Sequence, residues 1–477
     1  MRLRYAIWFP ILIAAMCCPV LAAGQQDGAS NQASQTATSG QTESASQGAE
    51  TSETPTTEPD ARSFLGAEAF SPGRVGQMRN YFLPSFQFSE RTDSNYPVGG
   101  GRQSFETINS VMGRLAFGRF GRHSTLSADY MGGGQFYNYQ SDRNTTMHQF
   151  GISASYRGQR WSFLLDDRAS YLPESSFGYG GFGWSGSLGS SLGGALGSNL
   201  GNLNPYYGAS GSLLTGRGAR IHNTTAMQVQ YLVGPRTSIS ISGSYGLLHF
   251  REAGFIDSTN SYFFTGLSHQ LTGRDYIGFG YGFGLFQFKS TVPSFQTHYL
   301  QLSYGHRING RMSVDLGGGA QVGVYQNPLM GSTTPISWTA NSSLNYRFRR
   351  GSLAVYYARY TSSGGGVLTG ANTDSLQVSW GTGLTRMWSV SLGPGYSHNR
   401  SIPQTTLGAT GRSFDTAYAY TSLSRSLGRY MDMFITYNFQ TQRSETLPCL
   451  TGDCTSSLLR HLIGFGFSWH PRQIVFE

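Results

Sequence analysis

Between Ile277 and Leu285 apolar and small residues alternate without a break. Ile277, Phe279, Tyr281, Phe283 and Leu285 take every second position, with Gly278, Gly280, Gly282 and Gly284 between them. A strand turns successive side chains to opposite faces, so this segment has one greasy face and one almost bare face; a helix has a different period. After a break at Ser290 to Pro293, a second run sets Leu300, Leu302 and Tyr304 against Gln301, Ser303 and Gly305. Thr272-Gly273-Arg274 precedes the pair and Asn309-Gly310-Arg311 follows it, so the unit reads as turn, strand, loop, strand, turn.

An arginine-marked turn recurs at Arg122, Arg160, Arg236, Arg274, Arg311, Arg350, Arg386 and Arg429, with successive spacings of 38, 76, 38, 37, 39, 36 and 43 residues. A fixed period of this size signals a repeat architecture, and two long strands fill the distance between turns, so each repeat is a β-hairpin. Strand centres fall near residues 85, 112, 130, 151, 165, 227, 242, 264, 281, 300, 318, 341, 356, 379, 392, 420, 435 and 464, which is eighteen strands. Each has enough alternating positions for a tilted strand to cross a bilayer. Eight tight turns then alternate with nine longer loops, as in barrels with short turns on one side of a membrane and long loops on the other. The pattern predicts an all-β fold, a closed antiparallel transmembrane β-barrel over 79–471, in which Ile463, Phe465, Phe467 and Trp469 form a closing strand that pairs with the first strand around Tyr81 to Phe88.

One connection is out of scale. The segment 173–218 is as long as a missing repeat, so it either hides two further strands, for twenty in all, or forms a compact third long loop. Leu188, Leu192, Leu196 and Leu200 recur every four residues, but Gly189, Gly193, Gly197 and Gly201 follow them, and each such Gly costs a helix about 1 kcal/mol. A compact loop is the better reading.

Composition agrees with a barrel. The 477 residues are 38% hydrophobic and 12% charged, with 64 Gly and 14% aromatics, whereas an ordinary globular domain is more charged and poorer in Gly. The chain beyond its start lacks the roughly 20 apolar residues in a row that a membrane helix needs. The formal charge of +9 comes from 34 basic residues spread singly over turns and loops; without a basic run there is no case for nucleic-acid binding. Arg2 and Arg4, an apolar run from Tyr5 to Val20 and the small residues Ala22-Ala23-Gly24 read as a signal peptide over 1–23. Residues 24–78 are rich in Ser, Thr and Gln, cannot bury enough apolar surface to order themselves, and read as a disordered periplasmic tether.

Chemistry is sparse. Cys449 and Cys454 bracket four residues in the last long loop and, in an oxidising compartment, most simply form a disulfide worth about 2 kcal/mol. The ten histidines are scattered one to a strand or turn, without ligand spacing for a metal, and read as lumen or interfacial hydrogen-bonding groups. Asp166 and Asp167 face opposite sides of one strand, and since a carboxylate at mid-membrane is costly the pair is expected near a strand end. Gly189-Ser190-Ser191-Leu192-Gly193 matches a hydrolase elbow and Gly181, Gly183 and Gly186 a dinucleotide spacing, but both lie in low-complexity sequence without a strand-turn-helix setting. No cofactor, metal or catalytic site is expected, and the chain does not read as an enzyme.

From about Met78 to His470 the hairpin period, the loop asymmetry and the Ile463, Phe465, Phe467, Trp469 ladder resemble bacterial outer-membrane β-barrels of the porin type, and the Gly-rich strands and arginine turns are loosely similar to porins associated with exopolysaccharide export. The chain departs from the pattern by ending on Glu477, after a tail at 472–477, where such barrels stop on an aromatic residue. The resemblance implies an outer-membrane location with both termini in the periplasm, and as partners the membrane lipid, the barrel-assembly machinery that reads the closing strand, and small hydrophilic solutes. It also implies a third external loop folded into the pore, where Phe177, Tyr179, Phe182, Trp184, Tyr206 and Tyr207 would form an aromatic constriction that favours neutral solutes, including sugars, over ions; the alternative is that this loop forms an external flap. The function read from these residues is passive diffusion of small hydrophilic solutes; the alternative is a non-catalytic barrel in exopolysaccharide secretion or a surface scaffold. For eighteen strands, side chains from the wall are not expected to fill the interior.

Overall fold

A computed structural model of the chain describes residues 80–98, 102–139, 144–173, 218–289, 293–327, 331–402, 413–444, 457–472 and 474–476. The segments read above as signal peptide and tether, and the positions Cys449 and Cys454 expected to form a disulfide, lie outside these residues. Eighteen long strands follow one another in sequence order: β1 (Asn80–Val98), β2 (Arg102–Phe120), β3 (Ser124–Tyr137), β4 (Thr145–Arg157), β5 (Trp161–Leu172), β6 (Arg220–Gly234), β7 (Thr237–Phe250), β8 (Ser258–Gln270), β9 (Asp275–Phe288), β10 (Phe295–Asn309), β11 (Met312–Asn327), β13 (Ile336–Phe348), β14 (Gly351–Ser362), β15 (Ala371–Gly383), β16 (Trp388–Ser401), β17 (Ser413–Ser426), β18 (Met431–Ser444) and β19 (Ser457–Trp469). Two three-residue strands, β12 (Gly331–Thr333) and β20 (Ile474–Phe476), are added to them. Every predicted strand centre falls inside one of the eighteen, and all eight marker arginines lie in the short turns between them.

Each strand pairs antiparallel with the next, and β19 returns to β1, so the sheet is closed. A closed sheet gives every wall backbone group a partner, which hydrocarbon demands. The seam forms between the expected strands and differs in one respect. β19 pairs with Phe86 to Asp93, overlapping the expected segment at Phe86 to Phe88 and running beyond it, because the tail beyond Pro471 occupies the lower end of β1. Phe476 pairs with Asn80, Val475 with Tyr81 and Ile474 with Phe82, and the Phe476 ring stacks on Phe117 at 5.7 Å. The tail is thus wall, not overhang.

The two faces of the wall are chemically distinct. Leu302 is 61% exposed, Ile463 58% and Phe279 53%, on the outside, while Gln301 and Ser303 of the neighbouring strand positions are buried inside. An outer surface of exposed Phe, Leu, Ile and Trp is far larger than the apolar patch a water-soluble monomer carries, so the fold is a transmembrane β-barrel. The bare positions of β9 have a packing reason. A Cβ on Gly282 would collide with the Tyr299 ring and one on Gly280 with Phe264; the missing side chains let inward aromatics of β8 and β10 lie flat across β9.

Asp166 and Asp167 stand in the middle of β5, not at its end. Each carboxylate has its own support there. Arg168 Nε donates to Asp166 Oδ1 at 2.9 Å on the inside; Thr225 Oγ1 donates to Asp167 Oδ1 at 2.5 Å and Asn223 Nδ2 at 3.2 Å on the outside.

Candidate functional site

The lumen is the one space that all eighteen strands face, and its wall divides into two halves. On β19 and β1 to β6 the inward positions carry charge: Arg91 and Asp93 on β1, Glu106 and Arg114 on β2, Asp129 on β3, Asp166 and Arg168 on β5, Arg220 on β6 and Arg460 on β19. Several of these charges are joined. Arg460 donates to Asp93 Oδ2 through Nε at 2.8 Å and Nη2 at 2.5 Å, across the seam. Asp129 reaches toward Arg168 over Gly151, where a Cβ would stand 2.9 Å from its Oδ1, and the two charges attract. Arg220 lies over the Phe250 ring, 5.9 Å from its centroid. Glu106 accepts from the Tyr139 backbone N–H at 3.0 Å.

The opposite half is mainly aromatic, although β11 also turns Asp315 inward, where it accepts from the Tyr276 hydroxyl at 2.6 Å. Tyr262 and Phe264 of β8, Phe286 of β9, Phe295 and Tyr299 of β10, Tyr325 of β11 and Tyr360 of β14 form one buried cluster with Leu164, Ala226, Ala358 and Ile402. Phe286 and Phe295 stack at 4.4 Å, Phe295 and Tyr325 tilt together at 5.0 Å, and Tyr262 meets Phe286 edge-on at 5.4 Å. The cluster takes in residues of β5 and β6 as well as β14, so side chains from the wall do meet across the interior. These large rings, laid over glycines, take up more of the interior than the Ser, Thr and Asn that line other strands.

The hairpin of β14 and β15 accounts for the closeness. Beyond Arg359, β14 loses its partner β13 but keeps β15, pairing Tyr360 with Thr373, Thr361 with Asn372 and Ser362 with Ala371. Freed on one side, the hairpin leans inward. Thr361 accepts from Gln321 Nε2 at 2.6 Å through Oγ1 and from the Tyr262 hydroxyl at 3.5 Å through its carbonyl. Its loop, Ser363 to Gly370, then reaches the β7–β8 connection, where Ile256 N donates to Gly366 O at 2.9 Å. Gly366 has φ +87° and lies against the Phe250 ring; Gly370 has φ +97°, and a Cβ there would stand 2.7 Å from the Phe295 ring. Both positions need glycine for backbone and for space.

The seventh long loop therefore enters the lumen. The third, with Phe177, Tyr179, Phe182, Trp184, Tyr206 and Tyr207, lies outside the described residues. Of the closing-strand residues, Ile463, Phe465 and Trp469 are exposed on the outer face, and Phe465 meets Phe467 edge-on at 4.9 Å. The histidines are placed as hydrogen-bonding groups: His148, His298 and His461 join tyrosines on the outer face, and His249, His306 and His398 join aspartates. Among the described residues no group of three or more His, Cys, Asp or Glu is placed to hold a metal ion, and no helix is long and apolar enough to cross a membrane.

No protein-family profile matches the sequence, and no curated protein matches it. Among solved structures the chain is similar to Pseudomonas aeruginosa OccK2 (OpdF), at 10% identity over 83% of this chain and 98% of that one, with a TM-score of 0.41. It is similar to Pseudomonas aeruginosa OpdO at 13% identity over 82% and 97%, with a TM-score of 0.41. For Acinetobacter baumannii OccAB3 the figures are 8%, 82%, 99% and 0.40. Likenesses this distant say nothing about solute or assembly.

Proposed function

We propose that this chain is a porin-like channel of the bacterial outer membrane through which small hydrophilic solutes diffuse passively. One observation carries the reading: a closed sheet with an apolar outside and an inside of Ser, Thr, Gln and paired charges. Apolar residues belong in lipid, and a polar interior is wetted. The tight arginine turns would face the periplasm with both termini, and the long loops the exterior. The closing strand would be read by the barrel-assembly machinery together with the tail that completes the seam.

Neutral sugars suit the aromatic half, since ring faces pack against the C–H faces of a sugar while Gln and Asn bond its hydroxyls. Paired charges on the other half would neither repel nor trap a neutral solute. Planar-bilayer recording of the folded full chain tests both levels. Discrete conductance steps are expected, reduced by millimolar disaccharide; folded protein without steps would sink the channel, and steps unaffected by sugar would sink the sugar preference alone.

A further inference from the structure

Three couples on the outer face repeat one geometry. The Tyr130 hydroxyl lies 2.9 Å from His148 Nδ1, Tyr281 2.7 Å from His298 and Tyr437 2.9 Å from His461. Their rings stack at 6.3, 6.2 and 6.2 Å. Each tyrosine is the seventh residue of a fourteen-residue strand, and His148, His298 and His461 are the fourth, fourth and fifth residues of the strands that return from a long loop, so the couples share one height, between mid-strand and the long-loop end. If the hydroxyl donates to Nδ1, the neutral imidazole carries its hydrogen on Nε2; if Nδ1 donates, the tyrosine O–H is spare. Either way each couple keeps one donor for its surroundings.

The His148 couple is built further. His148 also stacks on Tyr171 at 6.4 Å, its partner in the β4–β5 register. The exposed Arg251 guanidinium lies 5.8 Å above the Tyr171 ring and donates to its hydroxyl at 3.3 Å. Among the described residues Arg251 has no carboxylate partner, whereas Arg168, Arg359 and Arg460 are each paired. The other two couples end in phenylalanine: Phe283 beside His298 at 5.2 Å and Phe439 beside His461 at 5.4 Å.

We propose that Tyr130, His148, Tyr171 and Arg251 form a shelf that binds the phosphorylated sugar headgroup of an outer-leaflet glycolipid, an inference that rests on the outer-membrane reading above. A guanidinium grips phosphate through two parallel hydrogen bonds, and the imidazole couple supplies a further donor. Three ring faces in a row are more than a phosphate alone would use, and they suit the C–H face of a sugar. Tyr171 is the last but one residue of β5 and Arg251 lies just beyond β7, so the shelf ends at the long-loop edge of the outward face, the level at which the outer-membrane reading puts headgroups.

The test uses the refolded full chain in phosphatidylcholine vesicles doped with diphosphorylated lipid A or, separately, with phosphatidylglycerol, and counts retained lipids by native mass spectrometry. Wild type should retain lipid A, with Arg251→Ala and His148→Leu retaining roughly ten-fold less, as loss of a charge-assisted contact predicts. His298→Leu should match wild type. Equal retention by Arg251→Ala, or an equal loss in His298→Leu, would overturn the shelf, as would phosphatidylglycerol held as well as lipid A. Arg251 lies outside the strands, so Arg251→Ala decides the matter even if His148→Leu fails to fold. Conductance of wild type in the same vesicles is a separate readout: retained lipid without conductance sinks the channel alone, and conductance without retained lipid sinks the shelf alone.

Discussion

The two halves of the lumen solve one problem differently. Around β19 and β1 to β6 the interior carries charge, and the pairs Arg460–Asp93 and Arg168–Asp166 show how it is held: each cation meets a carboxylate within one or two strands. Around β8 to β11 and β14 the interior carries rings, which need no partner of opposite sign but need room, supplied by glycines on the strand beneath and by a hairpin released from its neighbour. The lesson is a division of labour. On the porin-like reading proposed above, rings that meet across the barrel would set how wide the passage is, and the charges would set which ions it prefers.

That division can be broken most directly at the hairpin. Replacing Ser363 to Gly370 with an Asn-Gly turn removes the contacts to Ile256, Phe250 and Phe295. Single-channel conductance should rise by about two-fold or more, since conduction follows the narrowest radius, while the ion preference stays. Conductance at the wild-type level would place the narrowest point elsewhere. A smaller opening is expected from Phe295→Ala, which removes a ring stacked on Phe286 and tilted against Tyr325. Truncating a buried Phe costs roughly 3 to 5 kcal/mol, so urea unfolding in vesicles should shift to lower denaturant together with a modest rise in conductance. On the charged half, Asp93→Asn leaves the Arg460 guanidinium without its carboxylate. Breaking a buried pair costs about 3 kcal/mol, less where water enters the lumen, and the loss of one negative charge from the wall should move the reversal potential in a salt gradient toward anions. A change in conductance as large as the hairpin variant's, with no change in preference, would erase the distinction between the halves.

How much of this was legible follows from what a period of two encodes. Strand number, strand centres and turns were readable, because alternation and recurring Arg turns are local signals; β9, with Ile277 to Leu285 outward and Gly278 to Gly284 inward, is the clearest case. Which inward residues meet was not. Asp93 and Arg460 are hundreds of residues apart and become neighbours only when the seam closes. The inward tilt of β14 depends on where pairing with β13 stops, and nothing in the alternation marks Arg359 as that point. A signal was present in Gly364, Gly365, Gly366 and Gly370, four positive-φ positions in one short loop, which is more than a loop exposed to water needs. The tail strand was masked by Pro471, which reads as a stop, although Ile474, Val475 and Phe476 are good strand formers.

The smallest expected effect lies on the outside of the charged half. Asp167 faces outward in mid-strand, where β9 on the other half carries Ile277, Phe279, Tyr281, Phe283 and Leu285 and no charge, and it is supported by the Thr225 hydroxyl and the Asn223 amide. Asp167→Asn keeps an oxygen for Thr225 and removes the charge. A carboxylate is among the less costly charges on a lipid-facing surface, so folding stability in phosphatidylcholine vesicles should rise by no more than about 1 kcal/mol. Asp93→Asn, the same change made on the inside, should lower it. Both variants lose one carboxylate from the same half of the barrel, so opposite signs would show that the side of the wall, more than its place around the ring, decides what a charge costs. A loss of about 2 kcal/mol or more in Asp167→Asn would mean that the carboxylate is held by something other than lipid on that face.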